Sequence, residues 1–168
     1  MDAYATHLDV LAATVVRTTG PILELGMGEY STPLLRAMRL DRPLLSLEVD
    51  AGWFERFKKL AGDGHECRLV TNWDEIDLAT HWGMVVLDHA PAHRRIIEGR
   101  RVAAWADMVL IHDTEALCYD WRPLWREYDW IYTYEKHANW TSLCGRGPTP
   151  SWPLDLLVPG QFGIPRSR

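Results

Sequence analysis

The sequence is poor in residues that staple or anchor a chain. Its 168 residues include three cysteines, Cys67, Cys118 and Cys144. The number is odd and no CxxC pair occurs, so neither a disulfide framework nor a zinc ribbon is expected; three reduced thiols suit a cytoplasmic protein. No apolar run approaches the roughly 20 residues needed to span a bilayer. The N-terminus, Met1-Asp2-Ala3-Tyr4, lacks a basic segment followed by an apolar one, so no secretory signal is expected. Without one, Asn139-Trp140-Thr141 reads as a chance match to the glycosylation sequon. A basic excess is missing too. Eighteen Lys and Arg against 23 Asp and Glu leave a net charge of −5, which argues against general nucleic-acid binding. There is no internal repeat, low-complexity segment or domain linker.

What is present fits one globular domain with one sizeable core: 47% apolar and 24% charged residues. Tryptophan is abundant, with nine copies. Most are expected in packing, with some candidates for a ligand pocket. Trp121, Trp125 and Trp152 read as exposed, which hints at a partner surface or a homo-oligomer.

Short apolar runs alternate with helical patterns. Residues 3–18 read as an amphipathic helix with Leu8, Leu11, Ala12, Val15 and Val16 inward, stopped by Gly20-Pro21. Ile22–Leu25 reads as a strand, followed by the turn Gly26-Met27-Gly28. Thr32-Pro33 opens a helix to about Met38. Leu44–Val49 is a second strand, and Asp50 is the expected N-cap of a helix over Trp53–Leu60. Cys67–Val70, Met84–Leu87 and Met108–Ile111 read as strands three to five. A helix is expected over Ala92–Ala104 with Ile96, Ile97, Val102 and Ala103 inward. Another, interrupted by Pro123, is expected over Glu115–Tyr128. Trp130–Tyr134 and Trp140–Leu143 form a strand pair around a turn at 137–139. Residues 1–147 then make the domain and 148–168 a proline-rich tail. This pattern predicts an α/β fold, a parallel sheet with helices on both faces, since the central runs are continuously apolar.

Ligands of such sheets bind outside the carboxyl ends of the strands. After the first strand, Glu24-Leu25-Gly26-Met27-Gly28-Glu29-Tyr30-Ser31 combines glycines that let the backbone approach a ligand with a helix start that stabilises an anion. Glu48 stands 22 positions after Gly26, the spacing at which an acid takes ribose hydroxyls. After the third strand, Trp73 is a candidate for base stacking, with Asn72 or Asp74 as its hydrogen-bonding neighbours. Asp88-His89 and His112-Asp113 follow the fourth and fifth strands, which neighbour each other in a doubly wound sheet. Their acids and imidazoles suit either a general base or a hard-metal site.

These motifs, in this order, resemble the class I S-adenosylmethionine-dependent methyltransferases of the small O-methyltransferase type. The carrying residues are Glu24 to Gly28, Glu48, Asp88, the segment Met108 to Thr114, and the strand pair over 130–145. The resemblance covers about residues 5–147. It implies a three-layer Rossmann-like domain with a seven-stranded sheet ordered 3-2-1-4-5-7-6, the seventh strand antiparallel. It implies S-adenosylmethionine as cofactor, held by Glu24, Gly26, Gly28, Tyr30, Ser31, Glu48, Asp88 and, near the adenine, Asn72, Trp73 or Asp74. A small acceptor would be methylated on oxygen or nitrogen, with His112, Asp88 or His89 as base and His112 the first choice. Metal-dependent relatives place an acid–amide pair after the fifth strand. His112-Asp113 stands there instead, which weakens a magnesium site at Asp88 and Asp113. The chain lacks a long N-terminal extension, so an open or oligomer-completed acceptor site is expected. Rival readings are a nucleoside- or partner-binding protein without turnover, and an NAD-dependent oxidoreductase. Ser31 in place of a third glycine counts against the latter. A transferase using the decarboxylated cofactor ranks last.

Overall fold

Short, mostly apolar runs become the central strands, buried on both faces. The computed structural model describes residues 5–116 and 118–152. Seven strands, β1 (Ile22–Leu25), β2 (Leu44–Glu48), β3 (His65–Leu69), β4 (Met84–Leu87), β5 (Met108–His112), β6 (Trp130–Tyr134) and β7 (Thr141–Gly145), form one sheet. Its order is β3-β2-β1-β4-β5-β7-β6. The first five strands are parallel, and β7 runs antiparallel to both β5 and β6. This is the expected α/β architecture. Every residue of β1 and β4 is buried, as both faces of a central parallel strand require. The edge strand β6 alternates buried with half-buried residues instead.

Side chains alternate across each strand, so successive residues feed two different cores. Ile22, Leu44, Met84, Val86 and Leu110 pack with α1 (Leu8–Val15) and α2 (Ser31–Met38). Leu23, Leu47, Val85, Leu87 and Val109 pack on the other face with α4 (Arg94–Val102) and the short α5 (Arg122–Trp125). α3 (Ala51–Phe57) begins at Asp50, whose carboxylate accepts from the Trp53 N–H at 2.9 Å, the predicted cap.

Several expectations from the sequence are corrected. α1 buries Val10, Leu11, Thr14 and Val15, while Val16, just past its end, is 63% exposed. α4 buries Arg95, Glu98, Gly99 and Val102, and Ile97 is 42% exposed. Apolar periodicity points the wrong way there because the buried stripe is made partly of charged residues paired inside. The helix expected over 115–128 is only α5. Asp120 binds the backbone and guanidinium of Arg122 just before it, and Pro123 sits in its first turn rather than interrupting it. Trp121 is buried and stacks on Trp125 with ring centroids 5.7 Å apart. Trp152 packs against the α1 core, with Arg17 over its ring. Trp121 is thus buried, and Trp125 and Trp152 are half-buried against the two cores. Most of the proline-rich tail, residues 153–168, lies outside the described residues. Among the described residues no helix is long and apolar enough to cross a membrane.

Candidate functional site

The connection after β1 turns through Gly26, whose φ of +91° suits glycine. A Cβ there would stand 2.5 Å from the Cα of His89 and 2.6 Å from its nitrogen, so the β1 and β4 loops touch through this residue. Beneath the loop lies Glu24, fully buried. It accepts from Ser31 at 2.7 Å, Thr32 at 3.0 Å and Ser46 at 2.5 Å. Burial raises its pKa to about 7 against the opposing effect of those hydroxyls. Thr32 in turn receives the Gly28 N–H at 2.9 Å. Glu24 therefore positions the loop and the start of α2 from below.

At the end of β2, Glu48 is buried and accepts three backbone N–H groups: Met27 at 2.8 Å, Val49 at 2.7 Å and Asp50 at 2.8 Å. It ties the glycine loop to the next strand. Glu48 also lines a cleft of about 400 Å³ at the carboxyl ends of β1, β2, β4 and β5. That is where an open α/β sheet binds ligands, and the volume suits a small molecule or cofactor. Met27, Gly28, Tyr30 and Ser31 form one wall, Asp50 and Trp53 another, and His7, Asp88, Arg95, His112, Asp113 and Asn139 the far end.

The far end is held by Arg95 of α4. Its guanidinium donates to the carbonyls of His89 at 3.0 Å and His112 at 2.9 Å, and to Asp113 at 2.8 Å. It also pairs with Asp88 at 2.9 Å. Asp113 further accepts from Asn139 at 2.7 Å. Burial would raise the Asp113 pKa, but the charge on His112 and the Arg95 and Asn139 contacts outweigh it and hold the carboxyl below its ordinary range. His112 is buried with its Nδ1 3.2 Å from Asp88 and its Nε2 2.9 Å from the Thr6 hydroxyl. Burial disfavours its protonation, but the Asp88 contact and the charges of Asp88 and Asp113 prevail and its pKa is raised. His7 stacks obliquely on His112, ring centroids 4.5 Å apart. Burial, aided by the neighbouring His112, lowers its pKa to about 4.

The cleft thus brings together Gly28, Tyr30, Ser31, Glu48, Asp88, His112 and Asp113 from the sequence reading, with Glu24 and Gly26 shaping it from behind. Four expected residues stand elsewhere. Trp73 is buried, donates its ring N–H to the Ala90 carbonyl at 3.0 Å, and packs on His89. Asn72 receives the Asp74 N–H, and Asp74 pairs with Arg94 at 2.6 Å. His89 is buried against Glu98 at 3.3 Å. Burial lowers the His89 pKa, so with Glu98 ionised against Arg94 the neutral ring donates from Nε2. All four brace the β3 and β4 connections instead of facing the cleft. Asp113, a candidate metal ligand, is committed to Arg95 and Asn139.

The sequence reading missed His7, Trp53 and Asn139. Trp53 carried a signal, since it lies one helical turn past the Asp50 cap and five residues past Glu48. His7 carried none, because its neighbour His112 is on a distant strand.

No protein-family model matches the chain, and no curated protein matches it in sequence. Solved structures do match. The N-terminal domain of EvdMO1 with SAH bound superposes with a TM-score of 0.63 at 12% identity, covering 88% of this chain and 82% of that one. The methyltransferase domain of bacterial CtHen1-C gives 0.62 at 10% identity, covering 88% and 100%. Human methyltransferase-like protein 13 in complex with SAH gives 0.59 at 12% identity, covering 83% and 80%. With the strand order and the antiparallel β7, these likenesses establish that the chain has the class I, Rossmann-like fold of the S-adenosylmethionine-dependent methyltransferases.

Proposed function

We propose that this chain binds S-adenosylmethionine in the cleft and transfers its methyl group to an oxygen or nitrogen of a small acceptor. One observation carries the reading: the glycine loop, Glu48 and the Asp88–His112 pair line a single cleft at the carboxyl ends of the strands. The start of α2, at Tyr30 and Ser31, favours the methionine carboxylate. Glu48 takes the ribose hydroxyls, and its backbone contacts hold it in place. Trp53, 36% exposed on the cleft wall, is the adenine's aromatic neighbour in place of Trp73.

The sulfonium is a good leaving group, so catalysis consists mainly of alignment and exclusion of water. The acceptor's lone pair attacks the methyl carbon in line, the sulfur–carbon bond breaks, and neutral S-adenosylhomocysteine remains. The acceptor's proton passes to the Asp88–His112 pair, with Asp88 the more exposed member. His89 lies behind the β4 loop and supports it.

Calorimetric titration with S-adenosylmethionine, S-adenosylhomocysteine and NAD tests the reading. Binding of both adenosyl ligands and not NAD is expected. Binding of NAD alone, or of none of the three, would overturn it.

A further inference from the structure

We propose that His7, Asp88 and His112 bind one divalent transition-metal ion of borderline softness, of the zinc, cobalt or nickel class, at the acceptor end of the cleft. One ligand atom from each residue lies within 4.8 Å of the other two. Donors around one tetrahedral ion with bonds of about 2.1 Å stand about 3.4 Å apart, so the set needs to close by up to about 1.4 Å, within reach of side-chain rotation. The three come from different parts of the fold: the residue before α1, the residue after β4 and the end of β5.

A second observation is independent of that spacing. His7 is 2% exposed and lines the cleft, yet neither of its ring nitrogens has a hydrogen-bond partner among the described residues. A buried polar group is ordinarily paired, and an unpaired one asks for a ligand, an ion or a bound water. Its ring packs against the imidazole of His112, so the two rings offer donor atoms to the same space. A lone general base would explain His112 but not an unpartnered second imidazole beside it.

The donors select the ion. Magnesium takes oxygen ligands in near-ideal octahedral geometry, whereas two imidazoles and a carboxylate suit zinc, cobalt or nickel. Asp113 cannot complete an oxygen-rich set, since Arg95 and Asn139 hold it. The Thr6 hydroxyl at His112 Nε2 is the outer contact that orients a ligating imidazole, leaving Nδ1 for the ion. Arg95, 2.9 Å from Asp88, works against the ion's charge and limits its affinity. Three protein ligands leave a position open for the acceptor. The role of the ion rests on the methyltransfer reading. When bound, the ion would polarise an acceptor oxygen and ease loss of its proton to solvent, and the Asp88–His112 pair would serve as base only in the ion-free chain. Its existence does not rest on that reading.

The test is titration of cobalt(II) into the full chain after chelator treatment, followed by visible absorbance, with zinc as competitor. S-adenosylhomocysteine is titrated calorimetrically into the same sample. One cobalt per chain is expected, displaced by zinc, with the imidazole nitrogen resonances of two histidines shifting in the unsubstituted protein. His7→Gln and Asp88→Asn should each weaken the ion at least about tenfold, since loss of a mere outer-shell partner already costs that much. Circular dichroism checks that both variants fold. No cobalt band, or a band that His7→Gln leaves unchanged with no imidazole shift, overturns the site. Cobalt binding without S-adenosylhomocysteine binding sinks the methyltransfer reading and leaves the ion site standing; the reverse result sinks the ion site alone.

Discussion

The carboxylate of Glu48 accepts the backbone N–H of Met27 at 2.8 Å, tying the end of β2 to the centre of the glycine loop. One side chain thus orders the loop and presents an acid to the cleft. Glu48→Ala removes both contributions, and its affinity for S-adenosylmethionine should fall at least about tenfold, as expected when charge-assisted hydrogen bonds are lost. Calorimetry on the folded variant reads this directly; an unchanged affinity would remove Glu48 from the site.

Trp53 and Trp73 separate two placements of the adenine. Trp53→Ala should weaken S-adenosylhomocysteine binding about tenfold, in line with base–aromatic stacking elsewhere. Bound ligand should also quench the fluorescence of the unsubstituted protein more than that of the variant. Trp73→Phe removes the hydrogen bond to Ala90 and should cost about 1 kcal/mol of stability. A larger loss of ligand affinity in the Trp73 variant than in the Trp53 variant would reverse the assignment.

Gly26→Ala forces a methyl group into the backbone of Asp88 and His89 at a positive φ. The β1 and β4 loops must separate, so stability should drop by about 2 kcal/mol or more. Urea denaturation measures it. Ligand binding should fall with it, because both loops border the cleft. A variant as stable as the parent would mean that the two loops can part freely.

Glu24 predicts a pH dependence of stability. Its native pKa of about 7 lies above the ordinary value of 4.5, because burial penalises the charge. The native state therefore holds this proton more tightly than the unfolded chain. The stabilising contribution is complete below about pH 4.5 and is lost as pH rises to 7. Glu24→Gln mimics the protonated form at every pH. Relative to the parent, it should gain on the order of 3 kcal/mol between pH 4.5 and pH 8. A difference that does not change with pH would show Glu24 ionised throughout.

The sheet was legible from local sequence. Met84–Leu87, Met108–Ile111 and, but for Glu24, Ile22–Leu25 are apolar because both faces of a central strand meet a core, and that demand acts on each residue singly. Gly26 and Glu48 were legible for a similar reason. One answers a backbone requirement at one point, and the other follows it at a spacing set by a single strand–helix–strand unit. Tertiary structure decided the rest. Arg95 and Glu98 are buried on α4 while Ile97 is exposed, because partners just after β4 and β5 and on α4 itself satisfy their charges. No pattern of hydropathy encodes a partner. Trp53 rather than Trp73 reaches the cleft because Trp73 is drawn into the core behind β4. Thr6 and His112 are 106 positions apart and 2.9 Å from each other. Their meeting, and the place of His7 beside them, depends on how α1 lies across the sheet.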